Sequence, residues 1–371
     1  MSKVCIAIGT RPEASKMAPV VYTLTKQGLS PWLLATGQHR EQLDSMLHVF
    51  NLKADANLDL MQERQNLPDL MGRMLPLVAR YLRDLNPAYV LVHGDTLTTF
   101  AVALASFFEG IPVGHVEAGL RSFNLQEPFP EEANRRLTDV LTDIDLPPTR
   151  WAKENLIREG KDPKHMIVTG NTAVDAVRML SPKARLPEKL KGKKLITITM
   201  HRRENLPHLR EMATCLADLA KSYHDYTFVY PVHLNPAVRE AVYPVMQDTA
   251  NIFLEEPYDY LNLLALMKNS ELIITDSGGL QEEGTALGIP VVVLRNITER
   301  PEGLEVGTLK LAGNQTEGMI QVIEPLLADA SLRQAMRTGK NPYGDGLAAD
   351  RIARAVAWRL GLAEKPLGWQ F

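Results

Sequence analysis

One stretch of the chain reads Val90-Leu91-Val92-His93-Gly94-Asp95-Thr96 and continues, after a helical pattern, with Gly110-Ile111-Pro112-Val113. The second half repeats this arrangement as Leu272-Ile273-Ile274-Thr275-Asp276-Ser277, a helical pattern and Gly288-Ile289-Pro290-Val291. In both places an apolar strand ends at an acidic residue, a glycine closes the helix, and a proline opens the next strand, where no backbone donor is needed. The stretch predicts a strand–helix–strand unit in each half. Two ordinary units explain the echo nearly as well as a duplication does.

Short runs rich in Val, Ile and Leu alternate with helical patterns along the whole chain. The predicted strands are Val4–Ile8, Trp32–Ala35, Tyr89–His93, Val113–Val116 and Met166–Thr169, then Leu195–Thr199, Phe228–Tyr230, Ile252–Leu254, Leu272–Thr275 and Val291–Leu294. This rhythm is typical of parallel sheets covered by helices on both faces. A Pro- and Lys-rich stretch over 181–194 interrupts it just after a domain boundary. We predict an α/β protein with two Rossmann-like, doubly wound domains facing a cleft, the natural place for a ligand.

Composition excludes several classes of protein. The chain has 371 residues, which suggests two domains, and 41 basic against 44 acidic residues leave a net charge of −3. Nucleic acid is therefore not the expected partner. The two cysteines, Cys5 and Cys215, exclude a disulfide scaffold and a Cys-based zinc site and indicate a reducing compartment. The first apolar run indicates a buried strand and not a signal peptide, and no apolar stretch is long enough for a membrane span. We expect a cytoplasmic protein.

The loop after the first predicted strand contains two cations. It reads Gly9-Thr10-Arg11-Pro12-Glu13-Ala14-Ser15-Lys16 and lacks the G-x-G-x-x-G pattern of a dinucleotide-binding loop. Arg11 and Lys16 lie near a helix N-terminus, where phosphate charge is favoured. A solvated first turn explains the same residues equally well.

The second half has a glycine-rich turn at a strand end, Thr275-Asp276-Ser277-Gly278-Gly279-Leu280-Gln281-Glu282-Glu283. Ser277, Gly278 and Gly279 would expose backbone N–H groups at the positive end of a helix, which favours an anion. Glu283 is one turn further on, where a carboxylate can accept hydrogen bonds from ribose hydroxyls. Arg300, in the segment 298–303, adds a weaker phosphate signal. The alternative is an ordinary turn with an N-cap serine; the position at a strand end favours anion binding.

Three carboxylates of the first half follow strands or open helices: Asp95, Glu117 and Glu131. Carboxylates gathered in a closed site suit proton transfer near neutral pH. Taken singly, each has a structural explanation that is the more probable: a helix cap for Asp95, a first-turn acid for Glu131 and a paired carboxylate for Glu117. His201, in His201-Arg202-Arg203-Glu204-Asn205 after a strand, suits proton donation or phosphate binding; a structural histidine is the alternative.

Several other motifs fail on inspection. Asp143-Ile144-Asp145 has the D-x-D form of a metal-dependent sugar transferase but is interpreted as the end of a helix. His115-Val116-Glu117 lacks the cysteine partners of a zinc deaminase. The motifs of P-loop nucleotidases, zinc proteases and serine hydrolases are missing from the sequence.

Eight motifs follow one another over nearly the whole chain. They are Gly9-Thr10-Arg11-Pro12-Glu13, Gln38-His39-Arg40, His93-Gly94-Asp95-Thr96, His115-Val116-Glu117-Ala118-Gly119-Leu120-Arg121, Pro130-Glu131-Glu132-Ala133-Asn134-Arg135, His201-Arg202-Arg203-Glu204-Asn205, Thr275-Asp276-Ser277-Gly278-Gly279 and Glu299-Arg300-Pro301-Glu302. Each is modest alone, but in this order they form a specific signal. Together they resemble the bacterial non-hydrolysing UDP-N-acetylglucosamine 2-epimerases.

The resemblance implies a reaction and its residues. UDP-N-acetylglucosamine and UDP-N-acetylmannosamine would interconvert by elimination of UDP to 2-acetamidoglucal and its re-addition. The resemblance makes Asp95, Glu117, Glu131 and His201 the catalytic set, without assigning sugar faces. The implied UDP-sugar ligands are Arg11, Lys16, Arg135, Ser277, Gly278, Gly279, Glu283 and Arg300. Neither a cofactor nor a metal is expected.

The resemblance also implies an architecture and regulation. The fold would be of the glycosyltransferase-B type, with residues 1–170 forming the first domain, 171–351 the UDP-binding second domain, and 352–371 returning to the first as a C-terminal helix. A regulatory substrate site at Gln38, Arg64, Arg202 and His233 would make the UDP-sugar an activator. We further expect a homodimer that serves cell-surface polysaccharide synthesis, with the UDP-sugar as its small-molecule partner and neither nucleic acid nor membrane.

Three alternatives remain open at this point. A retaining glycosyltransferase of the same fold would use the same phosphate loop, although three carboxylates are more than it needs. A catalytically silent UDP-sugar sensor is opposed only by the presence of Asp95, Glu117 and Glu131. A hydrolysing epimerase would differ in its products.

Overall fold

The computed structural model describes residues 2–37, 40–60, 66–337 and 340–371, without the side chains of residues 40–42. The chain divides into two compact units. Unit 1 comprises residues 1–176 and 343–371, and unit 2 comprises residues 177–342. The chain therefore passes from unit 1 to unit 2 between residues 176 and 177 and returns between residues 342 and 343. The domain boundaries predicted from the sequence are 170/171 and 351/352.

Strands and helices alternate along both units. The first part of the chain contains β1 (Lys3–Ile8), α1 (Arg11–Lys26), β2 (Ser30–Ala35), α2 (Arg40–Val49), β3 (Ala56–Asn57), α3 (Leu67–Leu85), β4 (Tyr89–His93), α4 (Leu97–Phe108), β5 (Val113–Val116), α5 (Glu131–Leu141), β6 (Ile144–Leu146), α6 (Arg150–Arg158) and α7 (Thr172–Leu180). The remainder contains β7 (Lys194–Thr199), α8 (Leu209–Ser222), β8 (Tyr226–Pro231), α9 (Pro236–Met246), β9 (Ile252–Glu255), α10 (Tyr260–Lys268), β10 (Ser270–Thr275), α11 (Gly278–Ala286), β11 (Val291–Val293), α12 (Glu302–Glu305), β12 (Leu309–Leu311), α13 (Thr316–Ala328), α14 (Ala330–Arg337) and α15 (Ala348–Arg359).

Each unit is built on a parallel six-stranded sheet. The strand order is β3-β2-β1-β4-β5-β6 in unit 1 and β12-β11-β10-β7-β8-β9 in unit 2. Both orders are those of a doubly wound Rossmann sheet, in which the order reverses between β1 and β4, and between β7 and β10. The predicted α/β class with two Rossmann-like domains is confirmed. Ligands of such sheets bind at the strand ends beside the reversal, which directs attention to the loops after these four strands.

One predicted strand of unit 1 is wrong. Residues 166–169 form no strand; Met166 makes an isolated bridge with Asp145, and the sixth strand is β6 at Ile144–Leu146. The prediction that Asp143-Ile144-Asp145 ends a helix is therefore also wrong, because α5 stops at Leu141. A three-residue strand with a buried Asp at its centre has no apolar run to signal it. The short strands β3 and β12 were not predicted either, because they too have no apolar run.

The core of each unit forms where amphipathic helices cover the sheet. In α3, the buried Leu70, Met74, Val78 and Leu82 recur every four residues and pack on apolar residues of β4 and α4. In unit 2, α8 covers its sheet in the same way. Within unit 1, α15 packs against α1, where the hydroxyl of Thr23 donates to the carbonyl of Ala349 at 3.0 Å. Among the described residues no helix combines the length and apolarity that crossing a membrane requires.

Candidate functional site

The ends of β1, β4 and β5 bring three of the predicted loops together in unit 1. Parallel neighbours in the sheet place residues 9–16, 93–96 and 117–121 at the same edge. Gly9 allows this close approach, because a Cβ atom there would lie 2.2 Å from the hydroxyl oxygen of Thr98 in α4. The loops therefore form one continuous polar surface at the topological reversal. Arg11 is exposed at the start of α1.

Glu13 ties two of these loops together. Its buried Oε2 accepts hydrogen bonds from the backbone N–H groups of Gly9 and Thr10 at 2.9 and 2.7 Å. Its Oε1 accepts a bond of 2.8 Å from the hydroxyl of Thr96, the N-cap of α4. Glu13 thus links the loop carrying Arg11 to the turn carrying Asp95. Glu13 was not among the predicted site residues, although its spacing from Thr10 is that of a capping box.

Glu117 lies at the end of β5 in a strained backbone conformation. Its φ of 65° is in the left-handed region, which is costly for a residue with a long side chain. The side chain is nearly buried, and Oε2 forms an ion pair with Lys16 and accepts a bond of 2.7 Å from the amide of Asn171. His93 Nε2 lies 3.7 Å from the same oxygen. The geometry holds Glu117 from three sides, and neither His93 nor Asn171 was among the predicted site residues.

Asp95 is held by the first turns of α5. Its carboxylate forms an ion pair with Arg135, and its backbone carbonyl accepts a bond of 3.0 Å from the Asn134 amide. The Asp95 side chain is 30% exposed, whereas that of Arg135 is buried. The predicted Asp95 and Arg135 are therefore in direct contact, with the carboxylate accessible from outside.

Two neighbouring glutamates of α5 have different surroundings. Glu131, the predicted one, is half-buried at the first position of the helix. Glu132 is fully buried and accepts bonds from the backbone N–H groups of Ser122 and Phe123, at 3.0 and 3.2 Å, and from Arg135 at 3.0 Å. Glu132 therefore organises the loop before α5, while Glu131 stays accessible at its edge.

A buried cluster behind this surface has the composition of a metal site. Donor atoms of His115, Asp139 and Asp145 lie within 4.8 Å of one another. Both ring nitrogens of His115 already contact oxygens, and the two aspartates are ion-paired with Arg121 and Lys161. Burial raises the pKa of Asp145 to about 6, with the nearby Asp139 carboxylate adding to the rise. Cations of the chain occupy the places that a metal ion would take.

In unit 2, Asp276 joins the two strand ends at the reversal. It is fully buried after β10, and its Oδ2 accepts bonds of 2.9 Å from the backbone N–H groups of both His201 and Arg202. Its Oδ1 lies 3.6 Å from Nδ1 of His201. The loop after β7 is thus fixed to the loop that opens α11. The sequence motif contained Asp276, but no role was assigned to it.

The predicted anion loop does open a helix. Ser277 is the N-cap residue of α11, and Gly278 and Gly279 form its first turn. Arg300 packs under this turn, so a Cβ atom on Gly278 would meet Arg300 Nη1 at 2.7 Å, whereas one on Gly279 would meet nothing within 4 Å. A residue with a Cβ atom at 278 would therefore displace the end of the Arg300 side chain.

Arg300 is the centre of a buried charge network. Its Nε donates to Glu282 at 2.6 Å and its Nη1 to Glu299 at 2.5 Å. Burial raises the pKa of Glu299, but Arg300 and Arg295 lower it further, to well below its ordinary range. The predicted phosphate ligand Arg300 is therefore bound to two carboxylates beneath the loop.

The remaining predicted residues lie in unit 2 or outside the described residues. Glu283 is buried in α11 and accepts a bond of 3.1 Å from the Tyr260 hydroxyl. The rings of His201 and His233 stack, with centroids 5.1 Å apart. Gln38 and Arg64, both predicted for a regulatory site, lie outside the described residues.

Comparison with known proteins identifies the family. The family model described as UDP-N-acetylglucosamine 2-epimerase matches residues 23–357. The chain belongs to the UDP-N-acetylglucosamine 2-epimerase family. The relative of that name from Bacillus subtilis is 43% identical over 364 residues, covering 97% of this chain and 96% of the relative.

Solved structures match this chain over nearly all of its length. The S. aureus protein MnaA, solved with UDP, is 41% identical and matches 100% of both chains with a TM-score of 0.95. The Neisseria meningitidis UDP-GlcNAc 2-epimerase, solved with UDP-GlcNAc, is 42% identical, covers 96% of this chain and 100% of its own, and has a TM-score of 0.90. The resemblance inferred from the eight motifs is confirmed, as is the glycosyltransferase-B type of fold.

Proposed function

We propose that this protein interconverts UDP-N-acetylglucosamine and UDP-N-acetylmannosamine, by elimination of UDP and its re-addition. One observation carries the proposal: two carboxylates, Asp95 and Glu117, end neighbouring strands of one sheet, and each is paired with a cation, Arg135 and Lys16 respectively. A carboxylate placed at a strand end can act as the group that accepts or delivers a proton. The family membership and the UDP-GlcNAc in the Neisseria structure support the same substrate.

The proposed chemistry balances without an external reactant. A carboxylate takes the proton from sugar C2 while the C1–O bond to UDP breaks, which leaves 2-acetamidoglucal and UDP. Re-addition of UDP at C1, with proton delivery to the opposite face of C2, gives the epimer. The C2 proton is only weakly acidic, so its removal must be coupled to a stabilised leaving group. In unit 2, the N–H groups that open α11 at Ser277 and Gly278 carry partial positive charge, which favours binding of a diphosphate.

The test is a proton NMR time course with UDP-N-acetylglucosamine in deuterated water, with EDTA and no nicotinamide. We expect UDP-N-acetylmannosamine to appear with deuterium at C2, and transient 2-acetamidoglucal and UDP to accumulate in slow variants such as Asp95→Asn. Bound substrate that keeps its C2 proton would overturn the proposal and favour a glycosyltransferase. Free N-acetylmannosamine would instead show the hydrolysing reaction, and bound substrate that neither exchanges its C2 proton nor transfers its sugar in an acceptor screen would show a sensor.

We also propose that the protein is a cytoplasmic homodimer. Adjacent helices α4 and α5 expose large apolar side chains, among them Phe107 and Phe108 at 59% and 63%, and Val140 at 77%. An apolar patch of this kind on a soluble enzyme suits a second copy of the chain. Light scattering tests this: Val140→Glu should yield monomers, and Leu332→Glu on α14 should not. A wild type of monomer mass would refute the dimer. The free, buried thiols of Cys5 and Cys215 fit a reducing compartment.

A further inference from the structure

His115 on β5 lies behind the candidate site and contacts no residue predicted to react. It is completely buried. Its Nε2 lies 2.7 Å from the carbonyl oxygen of Gly94, and its Nδ1 lies 2.6 Å from Oδ1 of Asp139. A carbonyl oxygen only accepts hydrogen bonds, so Nε2 carries a proton. The bond from Nε2 therefore ends on the residue directly before Asp95.

The second ring nitrogen is also a donor. The other oxygen of Asp139 accepts a bond of 2.5 Å from Arg121, whose guanidinium also binds Glu159, so Asp139 is an ionised carboxylate within a charge network. Burial lowers the pKa of His115, but the Asp139 carboxylate raises it further, and the net shift is upward. The charged groups around the ring are Asp139 on α5, Arg121 after β5, and Asp145 on β6 with its partner Lys161. A carbonyl oxygen faces Nε2 and the Asp139 carboxylate faces Nδ1, and an imidazolium donates to both.

The backbone at Gly94 is held through both of its polar groups. Its N–H donates to the carbonyl of Val116 at 2.9 Å, and its carbonyl accepts from His115. Gly94 has a φ of 69°, a conformation that makes the turn into Asp95 possible. On the far side of the turn, Asn134 binds the Asp95 carbonyl at 3.0 Å. The peptide on each side of Asp95 is thus anchored, and the His115 bond is the charge-assisted one.

We infer that His115 is a positioning residue for Asp95, acting as a donor that fixes the Gly94 carbonyl and with it the direction of the Asp95 carboxylate. This rests on the proposed role of Asp95 in epimerisation. A carboxylate that removes a proton must be aligned with it, and a displacement of about 1 Å costs on the order of 100-fold in rate. His115 accomplishes this alignment without contact with substrate.

Two amide variants of the full-length protein separate the two bonds of the ring. His115→Asn keeps a donor near the Nδ1 position, toward Asp139, and loses the bond to Gly94. His115→Gln reaches the Nε2 position, keeps a donor toward Gly94 and loses the bond to Asp139. We expect His115→Asn to lower kcat by about 30- to 100-fold with KM changed less than about threefold, and His115→Gln to restore most of kcat. Activities are normalised to the folded fraction measured by circular dichroism.

A double variant tests whether His115 acts through Asp95 or only supports the structure. In Asp95→Asn, the added His115→Asn substitution should cause little further loss of kcat, because its effect passes through Asp95. Equal losses in the Asn and Gln variants, or full additivity with Asp95→Asn, would overturn the inference.

Imidazole ¹⁵N NMR reports whether each ring nitrogen of His115 is protonated, independently of enzyme activity. Both nitrogens of His115 should be protonated at about pH 7, and His115→Asn should shift the amide signals of Gly94 and Asp95. A neutral His115 at pH 7 overturns the inference even if the enzyme is active. A wild type that does not epimerise refutes the proposed function, and the NMR result then decides the positioning by itself.

Discussion

The imidazole rings of His201 and His233 stack with centroids 5.1 Å apart and planes 9° apart. They follow the adjacent strands β7 and β8, and the His201 backbone is fixed by Asp276. His201 is predicted to act on substrate, whereas His233 is predicted to belong to a regulatory site. The stack gives a direct physical contact through which occupancy of one site can alter the other.

We predict that His233 couples activator to turnover. Wild-type initial rates should depend sigmoidally on UDP-N-acetylglucosamine, and His233→Ala should make the curve hyperbolic, a loss of about 1–3 kcal/mol of coupling. His233→Phe keeps a stacking ring and should retain part of the sigmoidal form. Rate curves over a wide substrate range measure this. Sigmoidal curves of equal steepness in wild type and His233→Ala would refute the role of His233.

Asn171 is predicted to set the charge state of Glu117. Asn171→Asp keeps the shape of the side chain but places a second carboxylate 2.7 Å from Glu117 Oε2. Like charges disfavour ionisation, so the acidic limb of the kcat profile should move up by about one pH unit. Asn171→Ala removes the donor to Glu117 and the acceptor for the backbone N–H of Ala173, adds no charge, and should give a smaller shift. The backbone bond from Asn171 to the Tyr343 carbonyl, 2.6 Å long, persists in both variants. Superimposable profiles for all three proteins would contradict this.

The contrast between Asn171 and Asp95 shows how far the sequence alone can lead. Asp95 follows a strongly apolar strand, so the apolar pattern is enough to predict its position at a sheet edge. Asn171 follows residues 166–169, which resemble a strand but form none, and its contact spans 54 positions to Glu117. Composition and spacing carry no information about such a pairing. The orientation of Arg300 toward two carboxylates is unpredictable for the same reason, because a local pattern indicates a cation and not its partner.

The two first-turn glycines of α11 provide a matched test of the anion loop. Gly278→Ala should displace Arg300, because the new methyl group would lie 2.7 Å from its Nη1. Loss of this ordered support should weaken UDP binding by about 10- to 100-fold. Gly279→Ala adds a methyl group where nothing lies within 4 Å and should bind UDP as the wild type does. Calorimetric titration with UDP measures both; equal affinities would show that the loop tolerates movement of Arg300.

Substitution of Glu131 should affect turnover, whereas substitution of Glu132 should affect the stability of the fold. Glu131→Gln should remove most turnover with an unchanged melting temperature, as expected of an accessible reacting carboxylate. Glu132→Gln leaves Arg135 and two backbone donors poorly satisfied in a buried place, and should lower the free energy of unfolding by about 1–3 kcal/mol. Thermal melts and product formation are compared for both variants. A destabilised Glu131→Gln with normal turnover per folded molecule would reverse the assignment.

The last prediction concerns Asp175, whose carboxylate caps α15. The buried oxygens accept the backbone N–H groups of Ala348 and Ala349 at 3.2 and 2.9 Å, yet burial raises the pKa of Asp175 to about 6. A folded-state pKa above the unfolded one means that the folded protein binds the proton more tightly. The contribution of Asp175 to the free energy of unfolding therefore decreases as pH rises from about 4 to about 6, by on the order of 2 kcal/mol. Asp175→Asn removes this dependence.

Urea unfolding of wild type and Asp175→Asn between about pH 4 and pH 7.5 isolates that contribution as their difference, which should fall with rising pH. The neighbouring Asp345 gives a control. Its hydrogen bond to Arg351 lowers the pKa of Asp345, so its contribution stays constant over this pH range and is lost only at lower pH, as pH falls through the folded-state value. A wild-type-minus-Asp175→Asn difference that is flat, or that rises with pH, would show that the cap outweighs burial. In that case the buried carboxylate would be ionised throughout and would stabilise α15 as an ordinary helix cap.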